Sequence, residues 1–172
     1  MEPVANERIG YDVFPSPIGP IYVVVDQRGV RKVALTEEEW QEYQTELGNI
    51  PQDSELCRNT VQQLDEYFKG TRRTFDLPLS VEGTDFRKKV WQQLLSIPYG
   101  EVRSYADIAK AVGKPKGPRA IGQANRANPL PILIPCHRVI GKNGDLVGYA
   151  GTRTDLKTVL LELEQGKNIP LK

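Results

Sequence analysis

Cys136, one of the two cysteines of the chain, is followed directly by His137, the only histidine. A cysteine reacts as its thiolate, and a neighbouring base or positive charge is what forms the thiolate at neutral pH. Because the chain has a single imidazole, Cys136 and His137 mark the only place where cysteine–histidine chemistry could occur. A buried cysteine beside an exposed histidine would give the same pair without any chemistry. The surrounding elements must decide between the two.

Composition indicates an ordinary globular protein. We expect no cofactor. The chain has 172 residues, of which 39% are hydrophobic and 26% charged, enough for one sizeable domain or two small ones. No apolar run approaches the roughly 20 residues of a membrane helix, and the first residues lack the features of a signal peptide, so we expect a cytoplasmic location. Cys57 and Cys136 are then expected to be free thiols. Two cysteines and one histidine are too few for a four-ligand zinc site, so no metal is expected.

Charge is distributed unevenly along the chain. Residues 1–85 contain 8 Lys and Arg against 16 Asp and Glu, a net charge of −8, whereas residues 86–172 contain 15 against 6, a net charge of +9. A basic half that carries the Cys-His pair favours binding to a polyanion such as nucleic acid. A solvated basic face without a partner is the alternative.

The hydrophobic pattern predicts an α+β protein with two domains, residues 1–83 and 84–172. The first is expected to be a small antiparallel sheet with helices, and its predicted strands are 9–14, 21–25, 30–35 and a short one at 75–79. It is also expected to contain two helices. One is capped by Thr36 and runs to about residue 47. The other covers 54–68 and carries Cys57, Val61, Leu64 and Phe68 on one face. Cys57 is therefore interpreted as structural.

The second domain is predicted to be mostly helical. The first expected helix is opened by Thr84 and has apolar residues to Ile97, and the second covers 104–112 with a Ser104–Asp107 capping box. The third runs from Pro118 to about residue 127, and the last covers 154–165. An extended stretch over 128–135 leads to Cys136, and a glycine-rich loop over 141–151 follows it. The two short middle helices form a helix-turn-helix arrangement, which is common in DNA-binding proteins but also occurs as a packing unit.

The helix that starts at Pro118 has an unusual surface. Ala120, Gly122 and Ala124 are small, so this face can approach another surface closely, either DNA or a neighbouring helix. Arg119 is the long basic residue at its start that could reach into a duplex. Tyr105, at the start of the preceding helix, could contact a phosphate or fill the core.

The sequence Ile-Pro-Cys-His-Arg-Val over residues 134–139 resembles the O6-alkylguanine-DNA alkyltransferases. The resemblance includes residues 122–129 upstream and 148–151 downstream, and it covers nearly the whole chain, most strongly residues 83–164. It implies a ribonuclease H-like first domain and a winged-helix-like second domain. The implied activity is direct, single-turnover transfer of an alkyl group to a cysteine, either from O6 of alkylguanine or from O4 of alkylthymine.

The resemblance also implies four catalytic roles. Cys136 matches the alkyl acceptor, and His137 matches the base that removes its proton through a water. We expect an indirect link because adjacent residues of an extended chain point to opposite faces. Asn128 matches the hinge residue that braces the turns around the site. Glu164 matches the carboxylate that orients the histidine, and helix geometry favours it over Glu162 because it falls between Leu160 and Leu161.

The implied DNA partner is double-stranded DNA containing O6-alkylguanine, bound in the minor groove by a monomer. Within the family pattern, Tyr105 contacts the target nucleotide, Arg119 enters the duplex in place of the extruded base, and Tyr149 packs against that base. The full set expected to contact DNA or the base is Tyr105, Arg119, Ala120, Gly122, Arg126, Arg138, Tyr149 and Ala150.

Two other kinds of protein compete with this interpretation, namely an alkyltransferase-like protein and a cysteine phosphatase or hydrolase that turns over. Alkyltransferase-like proteins bind damaged DNA without repairing it, but they lack the acceptor cysteine that Cys136 supplies. A cysteine phosphatase needs an arginine six positions after its cysteine, where this chain has Lys142. A cysteine hydrolase normally places its cysteine and histidine on separate segments. The sequence therefore favours the alkyltransferase.

Overall fold

A computed structural model of the chain describes residues 8–114, 117–141 and 154–166. The chain forms two compact units, Met1–Val81 and Glu82–Lys172. The sequence placed the boundary two residues later, after residue 83. The α+β class predicted from the sequence is confirmed, with an antiparallel sheet in the first unit and mostly helices in the second.

The first unit is built on a three-stranded antiparallel sheet, with strands β1 (Ile9–Ser16), β2 (Gly19–Asp26) and β3 (Gly29–Ala34) in that order. Tight turns join the strands, and Gly29 adopts a φ of 138°. A Cβ at this position would lie 2.2 Å from the carbonyl oxygen of Pro78, so glycine is required by both conformation and space. The strand predicted over 75–79 is reduced to one bridge between Leu79 and Val30.

Two helices complete this unit, α1 (Glu37–Leu47) and α2 (Arg58–Phe68). The Thr36 hydroxyl caps α1 by accepting a hydrogen bond from the Glu39 amide at 3.1 Å, as predicted. The prediction that α2 begins at residue 54 was wrong, because the segment before Arg58 forms turns held by Asp53, whose carboxylate accepts from the Leu56 amide.

The buried face of α2 also differs from the predicted stripe. Its buried residues are Thr60, Leu64 and Tyr67, next to the fully buried Cys57. The helix is therefore rotated so that Val61 and Phe68 are only half-buried. Cys57 is a core residue, as expected, and burial raises the pKa of its thiol to about 12.

The second unit contains four helices, two short strands and one turn of 3₁₀ helix in its described part. They are α3 (Asp85–Leu95), β4 (Arg103–Ser104), α4 (Tyr105–Ala111), α5 (Pro118–Arg126), the 3₁₀ turn (Cys136–Arg138), β5 (Val139–Ile140) and α6 (Thr154–Glu164). The predicted caps at Thr84 and Ser104 are present, and Ser104 and Asp107 form both bonds of a capping box. Pro118 occupies the first turn of α5, as predicted.

Two contacts bring the functional elements together. Strands β4 and β5 pair in parallel, with Ser104 opposite Ile140, so the start of α4 is held beside the segment that follows the Cys-His pair. On α3, the buried Trp91 donates a hydrogen bond from its indole nitrogen to the carbonyl of Ala124 at 2.8 Å, which fixes α5 against α3. Within the described ranges, the helices are too short or too polar to cross a membrane.

Candidate active site

Cys136 lies in a turn of 3₁₀ helix and not in an extended segment. Its amide donates to the carbonyl of Ile134 at 2.7 Å, and the amide of Arg138 donates to the carbonyl of Pro135 at 3.0 Å. The expectation of an extended chain at this point was wrong. Successive side chains of a 3₁₀ helix are about 120° apart, so the Cys136 and His137 side chains still diverge. The Cys136 residue is 1% exposed.

Asn128 braces the segment that precedes Cys136. Its side-chain amide nitrogen donates to the carbonyl of Ile134 at 2.9 Å, and its carbonyl oxygen accepts from the amide of Leu130 at 2.9 Å. These bonds close the turn around Ile132, which adopts a φ of 78°. A positive φ at a β-branched residue costs about 1–3 kcal/mol and persists only where the surroundings enforce it. No pattern in the sequence indicated this strained residue.

His137 and Arg138 share the carboxylate of Glu164 at the end of α6. Nε2 of His137 lies 2.6 Å from Oε2 of Glu164, and Nε and Nη2 of Arg138 donate to the two oxygens at 2.8 and 2.9 Å. Arg138 also donates through Nη1 to the carbonyl of Ile97 at 2.7 Å. Glu164 is 7% exposed, whereas Glu162 is half-buried. The structure thus brings Glu164, and not Glu162, to the histidine.

These contacts fix the protonation states of the pair. Burial by itself would raise the pKa of Glu164, but the hydrogen bonds and charges of His137 and Arg138 hold that pKa below its ordinary value. Burial lowers the pKa of His137, against the opposing hydrogen bond and charge of Glu164. We therefore assign a carboxylate and a neutral imidazole. Because a carboxylate only accepts, the imidazole proton resides on Nε2, which leaves Nδ1 as the basic nitrogen.

Lys157 is a buried cation that the sequence analysis missed. It is 0% exposed on α6, and its Nζ lies 5.8 Å from the centre of the Tyr105 ring. Burial lowers the pKa of Lys157 to about 8, while the charge of the Cys136 thiolate acts to raise it. A signal was available, because Lys157 precedes Glu164 by seven residues and so lies on the same helix face.

A cleft of about 490 Å³ lies on the α4–α5 surface and is lined by Tyr105, Pro118, Arg119, Gly122, Gln123 and Arg126. Arg119 and Arg126 are exposed there, and Ala120 is half-buried. Burial raises the pKa of Tyr105, and the charge of Cys136 adds to this effect, so its hydroxyl keeps its proton. A Cβ on Gly122 would lie 4.0 Å from Cε1 of Tyr105, an ordinary contact, so the protein interior does not itself require glycine here.

Three residues expected to contact DNA are not seen at a DNA-accessible surface: one is buried and two lie outside the described residues. Arg138 was expected to contact DNA, but it is buried and its guanidinium is engaged by Glu164 and Ile97, so this position does not suit a phosphate contact. Tyr149 and Ala150 lie outside the described residues. In the described part of the chain, no group of three or more His, Cys, Asp or Glu side chains could hold a metal ion.

The fold and the site define a protein with a helix-turn-helix unit and a buried Cys-His-Glu cluster. Residues 85–166 match the model of the 6-O-methylguanine DNA methyltransferase DNA binding domain, and residues 9–81 match that of the 6-O-methylguanine DNA methyltransferase ribonuclease-like domain. The chain is 48% identical over 156 residues to the constitutive methylated-DNA–protein-cysteine methyltransferase of Bacillus subtilis, covering 90% of this chain and 94% of that protein.

Solved structures agree with these matches. The structure of Mycobacterium tuberculosis OGT in complex with DNA is 41% identical, with a TM-score of 0.82 over 91% of this chain and 93% of that one. The structure of Mycobacterium tuberculosis O6-methylguanine methyltransferase is 40% identical, with a TM-score of 0.84 over 94% of this chain and 95% of that one. The chain belongs to the 6-O-methylguanine DNA methyltransferase family, and residues 85–166 are its DNA-binding domain.

Proposed function

We propose that this protein repairs DNA by transferring the alkyl group of O6-alkylguanine, and of O4-alkylthymine, irreversibly to Sγ of Cys136. Each molecule acts once, without an external donor, a cofactor or a metal. The observation that carries the proposal is the contact of 2.6 Å between His137 and Glu164, buried directly beside Cys136 in a family DNA-binding domain. Retention of Cys136 argues against a protein that only binds alkylated DNA.

The transfer begins with removal of the thiol proton. His137 holds its own proton on Nε2 against Glu164, so Nδ1 accepts the thiol proton through a bridging water, and Glu164 stabilises the imidazolium that forms. The positive charge of Lys157 lies close enough to interact with the thiolate of Cys136. Arg138 holds the Glu164 carboxylate in position through two hydrogen bonds.

The chemical step is a displacement at the alkyl carbon. The thiolate forms a carbon–sulfur bond as the bond between that carbon and O6 breaks, and the electron pair remains on the purine. The purine takes up one proton and becomes ordinary guanine, while Cys136 keeps the alkyl group as a thioether. Water does not displace the Cys136 thiolate from the unactivated alkyl carbon of this thioether, so the cysteine is not regenerated.

Access to the alkylated base requires that it leave the duplex, because a thiol cannot reach O6 inside paired DNA. We propose that α5 enters the minor groove with its small residues Ala120 and Gly122 outward, and that Arg119 takes the place of the extruded base. Arg126, which is exposed beside the same cleft, suits a phosphate contact. Tyr105 supplies a hydrogen-bond donor to the flipped base, and we assign the lid over it to Tyr149 and Ala150.

We also propose that the protein acts as a monomer in the cytoplasm. Residues 84–172 carry the reaction, and residues 1–83 support that domain structurally.

The test follows a radiolabelled alkyl group from a duplex that contains O6-methylguanine. We expect the label on a Cys136 peptide, with a yield that reaches one per protein molecule and stops. The Cys136→Ser variant should bind the duplex and transfer nothing. Methanol release with repeated turnover would contradict the proposal, and tight binding without transfer by the unaltered protein would identify a non-enzymatic damage-binding protein.

A further inference from the structure

Gln123 is an exposed residue of α5 to which the family resemblance assigned no role. It lines the cleft of about 490 Å³ together with Arg119 and Arg126. In the part of the chain that the structure describes, no hydrogen bond joins its side-chain amide to another residue. The donors and the acceptor of this amide are therefore available to a ligand that covers the surface of α5.

The position of Gln123 on α5 places it beside Arg119. At 3.6 residues per turn, Gln123 lies about 40° from Arg119 around the helix axis and about 6 Å further along it. Tyr105 lies on the Gly122 side of this surface, because a Cβ on Gly122 would be 4.0 Å from Cε1 of the tyrosine ring. Gly122 is about 100° away from Gln123. A flipped base that meets Tyr105 therefore leaves Gln123 facing the base pairs that remain stacked.

The chemistry of this surface separates Gln123 from its neighbours. Arg119 precedes it by four residues and Arg126 follows it by three, and α5 contains no acidic side chain. A neutral amide offers both donors and an acceptor, so it can pair with the edge of a base. In the minor groove an A·T pair presents only acceptors, whereas a G·C pair adds the N2 amino donor of guanine. Only a G·C pair can therefore satisfy both ends of the amide.

We propose that Gln123 is a specificity-determining residue that reads a base pair next to the lesion from the minor groove. Its amide oxygen accepts from the N2 amino group of guanine, and its amide nitrogen donates to O2 of the paired cytosine. The inference rests on the proposed function, because it assumes that α5 lies in the minor groove with Arg119 in place of the extruded base. Since base pairs are about 3.4 Å apart, the contact falls within about two pairs of the lesion on one side.

The first experiment replaces a neighbouring guanine by inosine, which lacks only the N2 amino group. Each duplex carries O6-methylguanine and one G·C pair, placed in turn at the two nearest positions on either side, and its partner duplex carries inosine there. Below saturation, we expect the unaltered protein to transfer the methyl group about fivefold more slowly from the inosine duplex at one of these positions, through loss of one hydrogen bond.

Gln123→Leu removes the amide and keeps a good helix-forming residue at an exposed position. The inosine replacement that slows the unaltered protein should slow this variant less than about twofold. Because inosine also weakens the base pair itself, the comparison between the two proteins isolates the contact of the amide. An inosine effect of the same size in both proteins at every position would overturn the proposal.

Two comparisons exclude other roles of the amide. Arg126→Ala, which removes a proposed phosphate contact, should slow transfer from both duplexes by the same factor. If Gln123→Leu also slows both equally, the amide contacts the DNA backbone and the proposal is refuted. Free O6-benzylguanine has no neighbouring pairs and should react normally with Gln123→Leu, so a slower reaction would refute the proposal as well. Gln92→Leu, at an exposed position of α3 outside the cleft, is the matched control and should keep the full inosine effect.

The unaltered protein separates the two levels of the argument. If it transfers no alkyl group to Cys136 from alkylated DNA, the proposed function and this inference both fall. If it transfers the group and shows no inosine effect that depends on Gln123, the proposed function stands and this inference alone is refuted.

Discussion

Replacement of Lys157 by methionine should make the protein more stable and less reactive. Lys157 is completely buried on α6, and its ammonium group faces the ring of Tyr105. A buried ammonium has lost its hydration, and methionine fills a similar volume without a charge. The substitution therefore removes a cost of folding together with a positive charge that we propose stabilises the Cys136 thiolate.

The size of the effect follows from the pKa of Lys157. Burial lowers it from 10.5 to about 8. Each pKa unit corresponds to about 1.4 kcal/mol, so the buried charge costs about 3 kcal/mol of folding free energy. The cation–π contact with Tyr105 offsets about 1 kcal/mol of this cost. We expect Lys157→Met to raise the free energy of unfolding by about 2–3 kcal/mol at pH 7.

The pH dependence gives a sharper test than the value at one pH. Below about pH 8 the lysine is charged in both the folded and unfolded states, so the full cost is present. Between pH 8 and 10.5 the folded state loses its proton first, and stability rises with pH. Above that range the side chain is neutral in both states and the cost disappears. The advantage of Lys157→Met should therefore shrink by about 2–3 kcal/mol across this window, because the cation–π contact is lost with the charge.

Urea unfolding at several pH values from 7 to 11 measures this difference. Both proteins should carry Cys136→Ser, because the thiolate charge would otherwise raise the pKa of Lys157. An advantage of Lys157→Met that is the same at both ends of the pH range would refute the reasoning. With Cys136 restored, Lys157→Met should react with iodoacetamide several-fold more slowly at pH 7, where the lysine charge is present.

Two further substitutions test the other parts of the site. Arg119→Ala should slow alkyl transfer from duplex DNA at least tenfold, because the residue proposed to replace the extruded base is lost, and single-turnover assays should find free O6-benzylguanine reacting at the normal rate. Equal slowing with both substrates would contradict a role in base extrusion. Glu164→Gln should slow transfer at least tenfold and lower the free energy of unfolding by about 3 kcal/mol or more, because Arg138 loses its buried counter-charge. Unchanged transfer and urea midpoints would contradict the proposed use of that carboxylate.

Local chemistry made the helix starts in the second unit predictable. Thr84 and Ser104 cap their helices, and Pro118 lies in the first turn of α5, because these side chains act on backbone groups only a few residues away. Glu164 was assigned by the family resemblance, and the angle between positions on one helix favoured it over Glu162. Such interactions join residues that are only a few positions apart, so they can be predicted from the sequence without knowledge of the tertiary structure.

The features that the sequence did not predict depend on contacts between distant segments. The 3₁₀ turn at Cys136 lies between a segment that Asn128 braces and strand β5, which pairs with β4. The burial of Arg138 depends on Ile97 and Glu164, which are 41 and 26 residues away. Arg138 was expected to contact DNA together with the other residues of the family pattern, but its buried partners place it in the interior, where basic residues are uncommon.

The cluster of Cys136, His137 and Glu164 that we propose to be catalytic depends on the packing of α6 against the 3₁₀ turn. The imidazole of His137 and the guanidinium of Arg138 come from the 3₁₀ turn, while Glu164 and Lys157 come from α6. The charges of Arg138 and Glu164 therefore compensate each other only when the two elements are in contact. Separation of the elements would expose Arg138 and Glu164 to water and leave His137 without its orienting carboxylate. The proposed activation of the Cys136 thiol therefore requires that α6 is packed against the 3₁₀ turn. A reactive thiolate at Cys136 should consequently require the folded domain, and unfolded protein should react with iodoacetamide only as an ordinary cysteine.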